Sequence, residues 1–483
     1  MLTETANGES PRTDEPPSPE LFSSDPFSSR PLTSGPATSG AAASPSFSFW
    51  PRVREFAVPP GMIETATARR RTGDWAGACA AANIDIDLRP RAVARRHGTE
   101  TAALLRADLR HLAPELLRWH MPRIAPDGLL RPGLTLTLAR YDSAGAGELH
   151  LVVRTPPAWA DAGQRMSLAL WDPSGTEQAG RGHPHPRPSR RFRLDLHRHL
   201  WDARRAGELR ERCGEGRTDG DAELSGLLPR GHRCAVDWWA AEAEILLRAE
   251  GRREGRGRVA VRLGARNRLV LDVSDGAAVP CGHTAGPALP VLPDAATWVL
   301  PDLELLRAGA IDAGGLHPLV ASALGAERAP AGSPPAAERA GDPRLVECRG
   351  ARHRIGLVDG VLAALDHAPD EIRREELLTA LGGTPLPCLQ AIDQAHRRPD
   401  CLTGVRERLR HGDVAGALAA VESLLGPDAV LRGGPLRDAL ETAARRRIAH
   451  GLFRAGLDGP SPGSLRPWDR RRSRDHGPHP RHM

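Results

Sequence analysis

The sequence predicts an α+β protein in which helical N- and C-terminal regions flank a central part with short antiparallel strands, with disordered tails at both ends. Three observations predict it. Two stretches, Arg70–Ala81 (RRTGDWAGACAA) and Leu409–Ala420 (LRHGDVAGALAA), share the skeleton R-x-G-D-x-A-G-A-x-A-A. Each has the pattern of a helical hairpin. Between them, apolar residues recur with a period of two in Leu134–Leu138, Leu149–Val153 and Met166–Trp171. The first fifty residues are dominated by Ser, Pro, Thr, Gly and Ala and cannot bury a core.

Taken in order, residues 1–54 are predicted as a disordered Ser/Pro-rich tail, punctuated by Phe22, Phe27, Phe47, Phe49 and Trp50. A helical region with the first Gly-Asp hairpin spans 55–125. Pro60-Gly61 opens a helix toward Arg71, and Leu105, Leu109, Leu112 and Leu116 form an amphipathic stripe that Pro114 kinks or restarts. Residues 126–325 are α+β. The three strands form a meander, and Phe192, Leu194 and Leu196 alternate as a further strand. Ala235–Glu250 is a helix with Trp238, Ala241, Ile245 and Arg248 on one face, and Val259–Leu263 pairs with Leu269–Val273 as a hairpin. Residues 326–341 are an Ala/Pro/Gly linker. A small sheet over Leu345–Cys348, His353–Val358 and Val361–Leu365, with Asp359-Gly360 as a tight turn, opens the region 342–457. Helices and the second Gly-Asp hairpin follow, then a disordered basic tail over 458–483.

The hairpin skeleton has a physical rationale. Gly73 and Gly412 stand where a helix stops, because glycine accepts the left-handed conformation that ends many helices. Asp74 and Asp413 then cap the next helix. Trp75, Ala78, Cys79 and Ala82 match Val414, Ala417, Leu418 and Val421 as the expected buried stripe. The turn resembles that of tetratricopeptide-type hairpins, with Trp75 and Ala78 on the matching positions. The resemblance covers about a dozen residues per copy, with no tandem period of roughly 34 residues around it.

Composition excludes some chemistry. All 66 basic residues are arginine, so lysine Schiff bases, lysine general bases and Walker-type phosphate loops are ruled out. The net charge of +6 is unevenly placed: residues 1–48 carry six acids against two arginines, and residues 466–482 six arginines against two aspartates. The seven cysteines (79, 213, 234, 281, 348, 388, 401) never form C-x-x-C and suit reduced, buried thiols. The first residues carry no apolar signal-peptide core, and no stretch approaches the roughly 18 apolar residues of a membrane span. A cytoplasmic protein without membrane contact is expected.

Candidate sites are few. His232, Cys234, Cys281 and His283 are residue types that zinc prefers, though their i, i+2 spacing converges only on strands, and core thiols and loop histidines are the expected account. Asp237-Trp238-Trp239 sets an acid beside large aromatics. The runs 181–193, 252–268 and 466–474 supply arginines for phosphate contacts. No catalytic residue and no cofactor is assigned. The first reading is a non-enzymatic protein-interaction or scaffold factor whose protein partner docks on the helical hairpins. A nucleic-acid-associated protein using its Arg-rich loops is the second, and a metal-dependent or otherwise unrecognised enzyme the third.

Overall fold

Both Gly-Asp turns form as the sequence predicts. In the structure, a computed structural model that describes residues 49–143, 147–173, 183–213, 228, 234–252, 254–264, 267–281, 289–326 and 343–457, Gly73 and Gly412 have φ of +80° and +91°. Asp74 accepts the Gly77 N–H at 2.8 Å, and Asp413 accepts that of Gly416 at 2.9 Å. Each aspartate also takes a guanidinium from five residues back, Arg69 at 3.1 Å and Arg408 at 2.6 Å. A Cβ at Gly77 or Gly416 would lie under 3.0 Å from the capping carboxylate, which accounts for the second glycine of the skeleton.

The two stripes differ. Ala78, Cys79 and Ala82 are fully buried in the first copy. In the second, Ala417, Val421 and Leu425 form the buried row, and Leu418 is 43% exposed. The expected burial of Leu418 is therefore corrected: the helix Val414–Leu425 turns its i, i+4, i+8 row inward and leaves that residue on the outside. Urea unfolding should show Asp413→Ala costing about 0.5–2 kcal/mol through its lost cap, with Leu418→Ala within about 0.5 kcal/mol of wild type.

The N-terminal half packs helices on a four-stranded sheet. Its order is Ile84–Ile86, Met166–Trp171, Gly147–Arg154 and Thr135–Ser143. The last three pair antiparallel as predicted, and Leu136, Leu138, Leu151, Val153 and Leu168 fill one core with Leu105, Leu109, Leu112 and Leu116. Pro114 restarts the chain as the helix Pro114–His120. The parallel edge strand Ile84–Ile86 gave no periodic signal because it is three residues long. Val259 and its neighbours pair with Leu271 as predicted, and Ala277–Cys281, carrying Pro280, adds a third strand at the sheet edge.

Three expectations are corrected here. Residues 50–54, assigned to the tail, are helical: Trp50–Arg52 runs into a π-turn over Val53–Ala57. Phe49 and Trp50 are buried, with the Trp50 ring 5.0 Å from that of Trp119. Phe192, Leu194 and Leu196 are irregular rather than a strand, fastened by Ser189 and Asp195 N–H groups donating to Thr135 and Thr137 carbonyls at 2.9 Å. The helix Trp239–Ala249 buries Trp239, Glu242, Ala243, Leu246 and Leu247, and not Ala241 or Arg248. A 3-10 turn over Val236–Trp238 shifts its phase. Residues 1–48 and 458–483 of the expected tails, and 327–341 of the expected linker, lie outside the described residues.

In the C-terminal part, Arg344–Cys348, Ala351–Val358 and Val361–Ala364 form the predicted antiparallel sheet, with Asp359 (φ +48°) and Gly360 (φ +73°) as its tight turn. Helices Pro369–Ala380, Pro387–Arg397, Leu402–His411, Val414–Leu425 and Pro435–Ala455 follow. The second Gly-Asp turn leans on the N-terminal body: Asn83 Nδ2 donates to the Gly412 carbonyl at 3.0 Å and Arg118 to that of His411 at 2.8 Å. No helix among the described residues is long and apolar enough to cross a membrane.

Candidate metal centre

The small C-terminal sheet positions a constellation that cysteine and histidine spacing alone did not reveal. Cys348 is the last residue of the strand Arg344–Cys348, and Arg349-Gly350 turns the chain into Ala351–Val358. Both turn residues have positive φ, +55° and +80°. In the resulting register Cys348 faces Ala351 and Val346 faces His353. Side chains alternate along a strand, so Cys348 and His353 share a face with buried Ile355. The helix Pro387–Arg397 packs on that face and brings Cys388 from its first turn. His367 comes from the segment just before the helix Pro369–Ala380.

One ligand atom from each of Cys348, His353, His367 and Cys388 lies within 4.8 Å of all the others. His367 Nε2 stands 3.7 Å from Cys348 Sγ and 2.7 Å from His353 Nδ1. Cys348 and Cys388 are fully buried and His367 is nearly so. Burial pushes the Cys388 thiol up to about 11, with the hydrogen bond and charge of Cys348 adding to the shift. Two thiols and two imidazoles converging at this distance are a donor set that a divalent cation could bind as thiolates and neutral imidazoles.

The sites named from the sequence fare differently. His232 and His283 lie outside the described residues. Cys234 bridges to Trp298, and Cys281 ends a strand opposite Val270. Burial pushes the Cys234 thiol up to about 12. Asp237 is exposed rather than set into an apolar pocket, while the buried Trp239 indole donates to the Thr297 carbonyl at 3.1 Å. In the basic runs, Arg191 pairs with Asp294 at 2.6 Å, Arg193 with Asp195 at 2.7 Å and Arg258 with Asp272 at 3.6 Å. The 466–474 run lies outside the described residues.

The metal set was missed because its spacing, C-x4-H-x13-H-x20-C, matches neither C-x-x-C nor H-E-x-x-H. A usable signal was present. The two predicted strands, paired through a tight Arg349-Gly350 turn, place Cys348 and His353 in phase. No protein-family model, no curated protein and no solved structure matches this chain.

Proposed function

We propose that the chain is a non-enzymatic interaction or scaffold protein whose C-terminal module is fastened by one structural zinc ion held by Cys348, His353, His367 and Cys388. The observation that carries this reading is the convergence of four soft and borderline donors from two strands, a pre-helix segment and a helix. Two thiolates and two imidazoles complete a tetrahedron and suit zinc above the harder divalent ions. With all four positions filled by protein there is no open coordination site, which is the pattern of a structural centre. The reading departs from the expectation that the chain needs no cofactor.

The local core supports a need for such a fastening. Its buried apolar members besides the two cysteines are Ile355, Ala364, Leu386 and Ile392. The helix Pro369–Ala380 contributes no buried residue. So small a core gains much from a metal cross-link. Apolar side chains also remain on its outside: Leu377 and Leu378 on that helix and Leu381 just past its end, and Leu345, Val358 and Val361 on the sheet face opposite the ligands. These exposed apolar residues suit the protein-docking reading better than a catalytic one.

Metal analysis of the full chain tests the proposal. About one zinc per chain is expected, absent from Cys348→Ala and Cys388→Ala. Cobalt substitution should give the intense visible bands of a tetrahedral thiolate site. Zinc-free protein that takes up neither zinc nor cobalt on titration would overturn it.

A further inference from the structure

We infer that Glu371, itself held by Arg349, is the positioning residue that orients His367 toward the metal and sets the affinity of the centre. This rests on the zinc reading above. His367 has two ring nitrogens with different neighbours. Nε2 faces Cys348 and His353 inside the cluster. Nδ1 lies 3.1 Å from Glu371 Oε2, on the outer side. A metal takes the lone pair of Nε2 only when the ring hydrogen sits on Nδ1, and a carboxylate at Nδ1 selects that tautomer. It also fixes the ring plane and makes Nε2 a stronger donor.

The second carboxylate oxygen is engaged as well. Arg349 Nη1 donates to Glu371 Oε1 at 3.0 Å, and Nη2 to Glu375 Oε1 at 2.5 Å. Arg349 stands in the left-handed turn that joins the Cys348 strand to the His353 strand. One guanidinium therefore ties the turn that sets two ligands to the helix that sets the third. That helix has no fully buried residue, and Ile372 alone of its side chains packs on the small core, so these polar contacts add to a slight apolar footing. Arg349, Glu371 and His367 thus form a chain of contacts from the surface to the cluster that would hold the metal.

The competing account makes Glu371 only an acid in the first helical turn, favoured by the dipole and by an exposed ion pair. The two accounts separate in zinc affinity. Competition against a chromophoric chelator, with the full chain, should show Glu371→Ala binding zinc about 10–100-fold more weakly. Glu371→Gln keeps an acceptor but not the charge and should fall between wild type and Glu371→Ala. Arg349→Ala should weaken binding by less than Glu371→Ala, and Glu376→Ala, five positions on and outside these contacts, should leave it unchanged. Ring nitrogen shifts of His367 in the zinc-loaded protein should report the Nδ1–H tautomer in wild type, with that signature weakened in Glu371→Ala. If wild type binds zinc and Glu371→Ala binds it within about twofold of wild type, the positioning role is overturned and the zinc centre stands. If wild type binds no zinc, the centre falls and the positioning role with it.

Discussion

Arg118→Met should lower the unfolding free energy by about 3–5 kcal/mol, among the largest effects of any single change in this chain. Arg118 is fully buried. Its guanidinium donates to three backbone carbonyls: Nε to Ala57 at 2.9 Å, Nη1 to Gln164 at 2.6 Å and Nη2 to His411 at 2.8 Å. Those carbonyls belong to the π-turn that ends the first helix, the loop before the strand Met166–Trp171 and the end of the helix Leu402–His411. Burial pushes the guanidinium down to about 10, still protonated at neutral pH. Methionine fills much of the volume but strands three acceptors, each worth about 1–3 kcal/mol when buried without a partner. Relief from desolvating a cation offsets part of this. Arg118→Lys keeps the charge yet cannot fan out to three directions, so it should fall between the two. Equilibrium urea unfolding measures the series. A loss under about 1 kcal/mol for Arg118→Met would mean that desolvation cancels the three bonds.

How much of this was legible depends on the range over which the cause acts. The Gly-Asp turns, the Leu105–Leu116 stripe and the three-stranded meander follow from contacts within a few residues, and the sequence displays them. The small C-terminal sheet was readable for the same reason, since Asp359-Gly360 names its own turn. What could not be read depends on partners far along the chain. Ile84–Ile86 becomes a strand only because Met166–Leu168 lies beside it. Phe49 and Trp50 look like tail residues until Trp119 is placed against them. Phe192 and Leu194 alternate like a strand but are fixed by a loop running along Thr135–Thr137. The metal centre lies between these cases. Two of its ligands share a strand face that the hairpin register fixes, whereas His367 and Cys388 reach it only through the packing of later segments.

The two Gly-Asp turns allow a direct measurement of what docking adds to an otherwise repeated structure. Gly73→Val should cost about 1–3 kcal/mol, the strain of a β-branched residue at positive φ. Gly73 is exposed, and a Cβ there would meet nothing within 4 Å. Gly412→Val carries the same strain at φ +91° and a second penalty. A Cβ at Gly412 would lie under 3.0 Å from the Gly163 carbonyl oxygen, which is backbone and has no rotamer to change. Asn83, which donates to the Gly412 carbonyl, and Arg118, which donates to that of His411, hold the same seam and would be displaced with it. The expected cost is therefore above about 4 kcal/mol, in the range reserved for disrupted cores. Gly412→Ala should retain most of that second penalty, because the clash begins at Cβ, while Gly73→Ala should cost about 1 kcal/mol. Urea midpoints of the four full-length variants give the comparison directly. Equal losses at the two positions would show that the turn forms in solution without the close approach of Gly412 to Gly163. A larger loss at Gly412 shows that the C-terminal helices are held on the N-terminal body through that contact.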